Sequence, residues 1–226
     1  MPLTHKVRFD PYAGTARAIG VVNALFRVGL LIGLVTGIGC DRSDELPVQG
    51  TKIGTFAEVA PDALPYSKGA LILAGTAIPV EIARERTEDR VIFSLIAHKQ
   101  TLETETYSLA RSGFAIESAA GESYLPPIPL LRFPMTIGEA WIWNGEMSAG
   151  DVKRSASATI KTSDDTLNLP GVTGAAIKID VQLSMDSGGP EPAKRRLLFW
   201  VLPKMGVVRR EFGASSTRLP APEGKQ

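Results

Sequence analysis

Between Gly174 and Ser184 the chain reads GAAIKIDVQLS, and apolar and polar side chains alternate almost without a break. Ala175, Ile177, Ile179, Val181 and Leu183 fall on one face, while Lys178, Asp180, Gln182 and Ser184 take the other. A period of two marks a strand with one face on a core and the other in water; a helix would scatter the same residues around its axis.

Related patterns recur along the chain. RVIFSLIAHK (Arg90 to Lys99) is a continuous apolar strand candidate, and TLETETYSLAR (Thr101 to Arg111) alternates around Glu103, Glu105 and Tyr107. Ser155 to Thr162, Ala193 to Leu202 and Gly206 to Gly213 continue the series, separated by short turn-prone spacers such as Ser187-Gly188-Gly189-Pro190. The 16 prolines and 22 glycines fit a chain of many turns rather than a helical bundle. The fold expected is mainly β: an antiparallel meander of about eight to ten strands forming a strongly curved sheet or an incomplete barrel.

The first 39 residues differ in kind. Lys6, Arg8, Arg17 and Arg27 face one acid, Asp10, and are followed by the uncharged apolar run Val28 to Gly39. As a helix that run would reach only about 18 Å, short of the roughly 30 Å hydrocarbon core of a bilayer. A basic segment, a short apolar core and small residues at its end read as an export signal. The organisation expected is a helical signal segment over 1–39, a proline-bearing tether over 40–68, an antiparallel β domain over 69–215 and a flexible tail over 216–226.

TGIGC, Thr36 to Cys40, resembles the signal of bacterial lipoproteins, in which the cysteine becomes the first residue of the mature protein and carries acyl chains. Ile38 and Gly39 suit the two positions before the cysteine, and Gly37 stands where that family usually has Leu. The resemblance implies palmitate-like chains on Cys40 and an address in the bacterial cell envelope. Each buried methylene contributes about 0.8 kcal/mol, so two or three acyl chains hold a soluble domain on a membrane where one does not. Without residues 1–39, 21 basic and 23 acidic residues remain. Neither that balance nor the +1 of the whole chain offers an electrostatic case for nucleic acid.

PPIPLLRFPMTIGEAWIWNGE (Pro126 to Glu146) and FWVLPKMGVVRREF (Phe199 to Phe212) carry a second resemblance. They are similar to uncharacterised bacterial envelope lipoproteins with an FPLxxGxxW strand motif and a late WxxPxxGxVxxE hairpin. Phe133, Pro134, Gly138 and Trp141 match the first pattern, with Met135 in place of Leu; Trp200, Pro203, Gly206, Val208 and Glu211 match the second. The resemblance implies an antiparallel sheet akin to lipoprotein-carrier half-barrels, with no established activity. Read physically, Pro134 biases Phe133 toward extended geometry, Gly138 permits a turn, and Trp141 and Trp143 start a strand with both rings on one face, a register pin. The alternative makes Trp141, Trp143 and Trp200 an aromatic wall for an apolar or glycan ligand.

Catalytic constellations are scarce. His98, at the end of a strand, is the one histidine after the leader, and Cys40 is the one cysteine of the chain. There is no HExxH, no zinc cluster, no phosphate-cradling loop and no complete GxGxxG, so no cofactor is expected. GESYL (Gly121 to Leu125) begins like a nucleophile elbow but has Leu125 where the second glycine belongs. Glu103 and Glu105 are expected to solvate an outer face, as is the mixed charge run from Glu81 to Arg90. Lys194-Arg195-Arg196 and Arg209-Arg210 are candidates to touch lipid headgroups or an acidic partner. The function expected is a non-enzymatic, membrane-anchored envelope lipoprotein whose β domain binds a protein partner or an apolar, lipid-like ligand. The alternatives are an envelope hydrolase using carboxylates or a serine with His98, and a structural accessory subunit.

Overall fold

The computed structural model describes residues 50, 52–55, 67–169, 171–203, 205–213 and 216–220. The signal segment, Cys40 and most of the tether lie outside them. Alternation puts the described residues into strands: β1 (Lys52–Ile53), β2 (Lys68–Leu73), β3 (Thr76–Arg86), β4 (Arg90–Ala97), β5 (Gln100–Ala110), β6 (Gly113–Ala119) and β7 (Glu122–Arg132). Then follow β8 (Met135–Thr136), β9 (Ala140–Ala149), β10 (Val152–Leu169), β11 (Val172–Met185), β12 (Ala193–Leu202), β13 (Gly206–Phe212) and β14 (Ser216–Pro220).

All but β1 and β8 form one closed antiparallel barrel, in which neighbours follow chain order except that β7 meets β9 and β14 meets β2. The expected meander is present, and its curvature runs to full closure instead of stopping at an open half-barrel. Closure removes the free edge strands that an open sheet would present. The longest hairpin, β10 with β11, contains the alternating stretch that heads the sequence: Ile160 faces Val181 and Ala158 faces Leu183, all inside.

The barrel uses 12 strands, more than the eight to ten expected, because two segments whose composition suits solvent belong to the wall. The charge run from Glu81 supplies half of β3: Glu81, Ala83 and Glu85 face out while Val80 and Ile82 reach the core. The supposed flexible tail supplies β14, the strand that closes the ring against β2 through Ser216 to Pro220. Within the stretch assigned to the tether, β1 pairs with β8, and Gly50 N–H donates to the Ile137 carbonyl. Ile53, Phe133, Met135 and Ile137 join the core there.

Twelve strands would enclose more space than inward side chains fill if the cross-section were round. Here opposite walls touch. Glu105 of β5 bonds to Arg210 of β13 and Arg218 of β14, although β4, β3 and β2 lie between β5 and β14 around the ring. Glu122 of β7 likewise pairs with Arg195 of β12 across the width of β9, β10 and β11. Around these ties Leu95, Ile116, Ile128, Leu130, Val181 and Phe199 are fully buried, each stabilising the fold by about 1.5–3 kcal/mol.

Candidate functional site

The most concentrated chemistry among the described residues is inside the barrel. Glu105 pairs with Phe93 across the β4–β5 ladder, which aims both into the core, and Tyr107 two residues on shares that face. Glu105 Oε1 accepts from Arg210 Nε at 3.0 Å and Arg218 Nε at 2.9 Å; Oε2 accepts from the Tyr107 hydroxyl at 2.7 Å and Arg218 Nη2 at 3.3 Å. Arg210 also reaches Glu103 Oε1 at 2.5 Å, and that oxygen accepts the Ala120 N–H. Glu105, Arg210 and Arg218 are fully buried. The outward placement expected for Glu103 and Glu105, and the surface role for Arg210, are therefore corrected. The face is decided by Tyr107, Phe93 and Phe212, and the carboxylate is carried inward with them.

Arg210 and Arg218 sit directly opposite each other across β13 and β14. Like charges in that position repel, and Glu105 arrives from the far wall to neutralise them. Aromatic faces complete the surroundings, with Arg210 4.3 Å from the Phe212 ring centre and Arg218 5.5 Å from that of Phe93. Burial alone would raise the Glu105 pKa, but the charges of Arg218 and Arg210 and the Tyr107 bond outweigh it and hold the carboxyl at about 2. Burial, reinforced by the Glu105 charge, pushes the Tyr107 hydroxyl well above its ordinary range. Burial works against the Arg210 charge, yet Glu105 and Glu103 more than restore it. An acid or base working near neutrality needs a pKa near neutrality; Glu105 and Tyr107 are fixed far from it, and act as a tie.

A smaller copy of the arrangement lies elsewhere in the lumen. Glu122-Ser123-Tyr124 repeats the spacing of Glu105-Thr106-Tyr107, and again the tyrosine donates to the carboxylate two residues earlier, at 3.2 Å. Arg195 of β12 supplies the cation through a short ion pair with Glu122. Burial, followed by the Glu122 charge, pushes the Tyr124 hydroxyl up.

The three tryptophans do not share one face. Trp141 and Trp143 pair across the ladder with Ile160 and Ala158 and point inward; Trp200 pairs with Lys178 and Arg209 on the outer side. Trp141 Nε1 donates to the Pro129 carbonyl at 2.8 Å and Trp143 Nε1 to the Pro126 carbonyl at 2.9 Å. The β7–β9 ladder stops at Leu125 opposite Glu146. Beyond it β7 carries Pro126, Pro127 and Pro129, which have no N–H to give. The indoles thus bridge a seam that the backbone cannot. Gly145 is required there, because a Cβ would lie 2.4 Å from the Trp143 ring and 2.5 Å from the Leu125 carbonyl. Gly138 makes the preceding turn at φ +106°.

Trp200 lies with the Arg209 guanidinium 4.5 Å and the Lys178 ammonium 5.5 Å from its ring centre, and donates to Asp165 at 2.8 Å. That bond, with the Thr166 N–H and Lys178, outweighs the opposing effect of burial and lowers the Asp165 pKa. The basic clusters are mostly satisfied within the chain: Arg195 by Glu122, Arg196 by both oxygens of Asp180 at 2.9 and 2.6 Å, Arg209 by Glu211. Ser123 of the GESYL stretch faces Ser148 on the outer side at 3.0 Å. His98 is elsewhere, lining an open cavity of about 490 Å³ with Lys68, Glu81 and Lys99. Among the described residues no group of three or more His, Cys, Asp or Glu side chains is placed to hold a metal ion, and no helix is long and apolar enough to cross a membrane. Cys40 lies outside the described residues.

The buried ties were missed in the sequence because a carboxylate on an alternating strand is ordinarily outward. The signal available was the repeated Glu-x-Tyr spacing, together with Val208, Arg210 and Phe212 on one face of a later strand.

No protein-family model matches the chain, and no curated protein does. Among solved structures the chain is similar to the hypothetical lipoprotein YmcC of Escherichia coli, at 16% identity and a TM-score of 0.42 over 71% of this chain and 90% of that one. It is also similar to a putative lipoprotein of Parabacteroides distasonis, at 10% identity and a TM-score of 0.40 over 74% and 97% of the two chains.

Proposed function

We propose that this chain is a non-enzymatic lipoprotein of the bacterial envelope, held on a membrane by acyl chains on Cys40, whose barrel engages a protein partner through its outer surface. The observation that carries this reading is the placement of Cys40, where an apolar run too short to span a bilayer gives way to the charged stretch DRSDE. The interior supports an outward-facing role. Its carboxylates, tyrosines and arginines are tied to one another across the lumen, which leaves the space at their level filled by protein. An apolar ligand there would have to displace paired charges, at the cost of leaving them unpaired.

Fractionation tests the anchor. In cells expressing the full chain, the protein is expected in the membrane fraction, resistant to high salt and released by detergent, while Cys40→Ser loses the acyl attachment and moves to the soluble fraction. A Cys40→Ser protein that stays with the membrane as firmly as the parent would mean that the apolar run itself is the anchor, and would sink the reading.

A further inference from the structure

Three two-residue hairpin turns in the barrel wall use positive φ at both positions. Two are Ala-Gly: Ala74-Gly75 at +47° and +83°, and Ala120-Gly121 at +53° and +76°. The third is His98-Lys99, at +51° and +65°, between Ala97 and Gln100. This backbone suits glycine or asparagine and strains other residues. The chain therefore places two large polar side chains where the turn would be more stable without them. What sets this turn apart from the other two is Lys99, a long cationic side chain where they have glycine.

The cavity beside that turn has a defined chemistry. Its apolar lining comes from Gly69, Pro79, Val80, Ile96 and Ala97, and its polar lining is Lys68, Lys99, His98 and one acid, Glu81. Glu81 stands directly opposite Lys68 in the β2–β3 ladder. None of Lys68, Glu81 and Lys99 forms an ion pair among the described residues, so the lining sets two ammonium groups and an imidazole against one carboxylate. A net cationic lining beside apolar residues fits a phosphate that carries an acyl-glycerol stem. Lys68 is also the first residue of β2. An anchored domain meets lipid at high effective concentration, so a site too weak to matter in solution is filled.

We infer that the His98–Lys99 turn and Lys68 form a binding site for the headgroup of an anionic phospholipid, which orients the barrel on the membrane that holds it. This orienting role rests on the Cys40 anchor; the site itself does not. The test is a titration of the full chain, in a phosphate-free detergent, with dihexanoyl-phosphatidylglycerol, dihexanoyl-phosphatidylcholine and inorganic phosphate, followed by broadening of the ³¹P signal. The anionic lipid is expected to saturate at a midpoint about tenfold below the other two, and Lys68→Gln with Lys99→Gln to raise that midpoint by about tenfold. His98→Asn with Lys99→Gly relaxes the turn, so it is expected to raise the melting temperature by about 2–4 °C while losing the lipid broadening. Equal response to inorganic phosphate, or a relaxed turn that is more stable and binds lipid as before, would overturn the inference. A failed titration with acylated Cys40 removes this site alone; an unmodified Cys40 with a normal titration removes the anchor alone.

Discussion

The two Glu-x-Tyr ties inside the barrel share a local pattern and differ in what surrounds them. Glu105 is wholly buried and holds two arginines that face each other across β13 and β14. Glu122 keeps 11% of its side chain exposed and holds one arginine, Arg195, that is 35% exposed. Water screens the second pair and returns much of what its loss would cost. It cannot do so for the first, where removing the carboxylate strands two like charges in a dry interior. The comparison teaches that the same three-residue motif is a structural keystone or a minor clip according to its burial and the number of charges it holds.

The largest effect expected is from Glu105→Gln, which should destabilise the barrel by about 3–5 kcal/mol in urea unfolding. Hydrogen exchange in β14 and β2 should accelerate first, since their ladder closes the ring. Next is acid. The Glu105 pKa is lowered from 4.5 to about 2, so its contribution is complete above the ordinary carboxylate range and is lost as pH falls from about 4.5 through about 2. That amounts to about 3 kcal/mol, and stability measured against pH should show a steep loss in this window for the parent and a flatter one for Glu105→Gln. Trp141→Phe and Trp143→Phe, which leave the Pro129 and Pro126 carbonyls without their donors, should cost about 1–3 kcal/mol each by thermal unfolding. Smallest is Glu122→Gln, at about 1 kcal/mol or less and shrinking with added salt. An equal loss from Glu122→Gln and Glu105→Gln would break the comparison.

The strands were legible where one face is plainly apolar, as from Gly174 to Ser184, and so was the shared face of Trp141 and Trp143. What could not be read was closure. The segment Ser216 to Pro220 is five residues with an arginine at its centre, which by composition belongs to a tail. It becomes a wall strand because Arg218 meets Glu105, more than a hundred positions earlier in the chain, and no local pattern encodes that partnership. The seam between β7 and β9 was half legible: the prolines announce a missing ladder, but that indole N–H groups would take over the carbonyls depends on where the two strands lie. That Trp200 lies on the other side of the wall from Trp141 and Trp143 is not legible, because sequence shows residue type, whereas the face depends on the register of β12 against β11.

The proposed attachment of the barrel to a membrane through one sulfur is tested most directly by the intact mass of the protein extracted with detergent from its native membrane. The expected result is a chain beginning at Cys40, heavier than its residues by two or three acyl groups. A full-length chain with an unmodified thiol would contradict it.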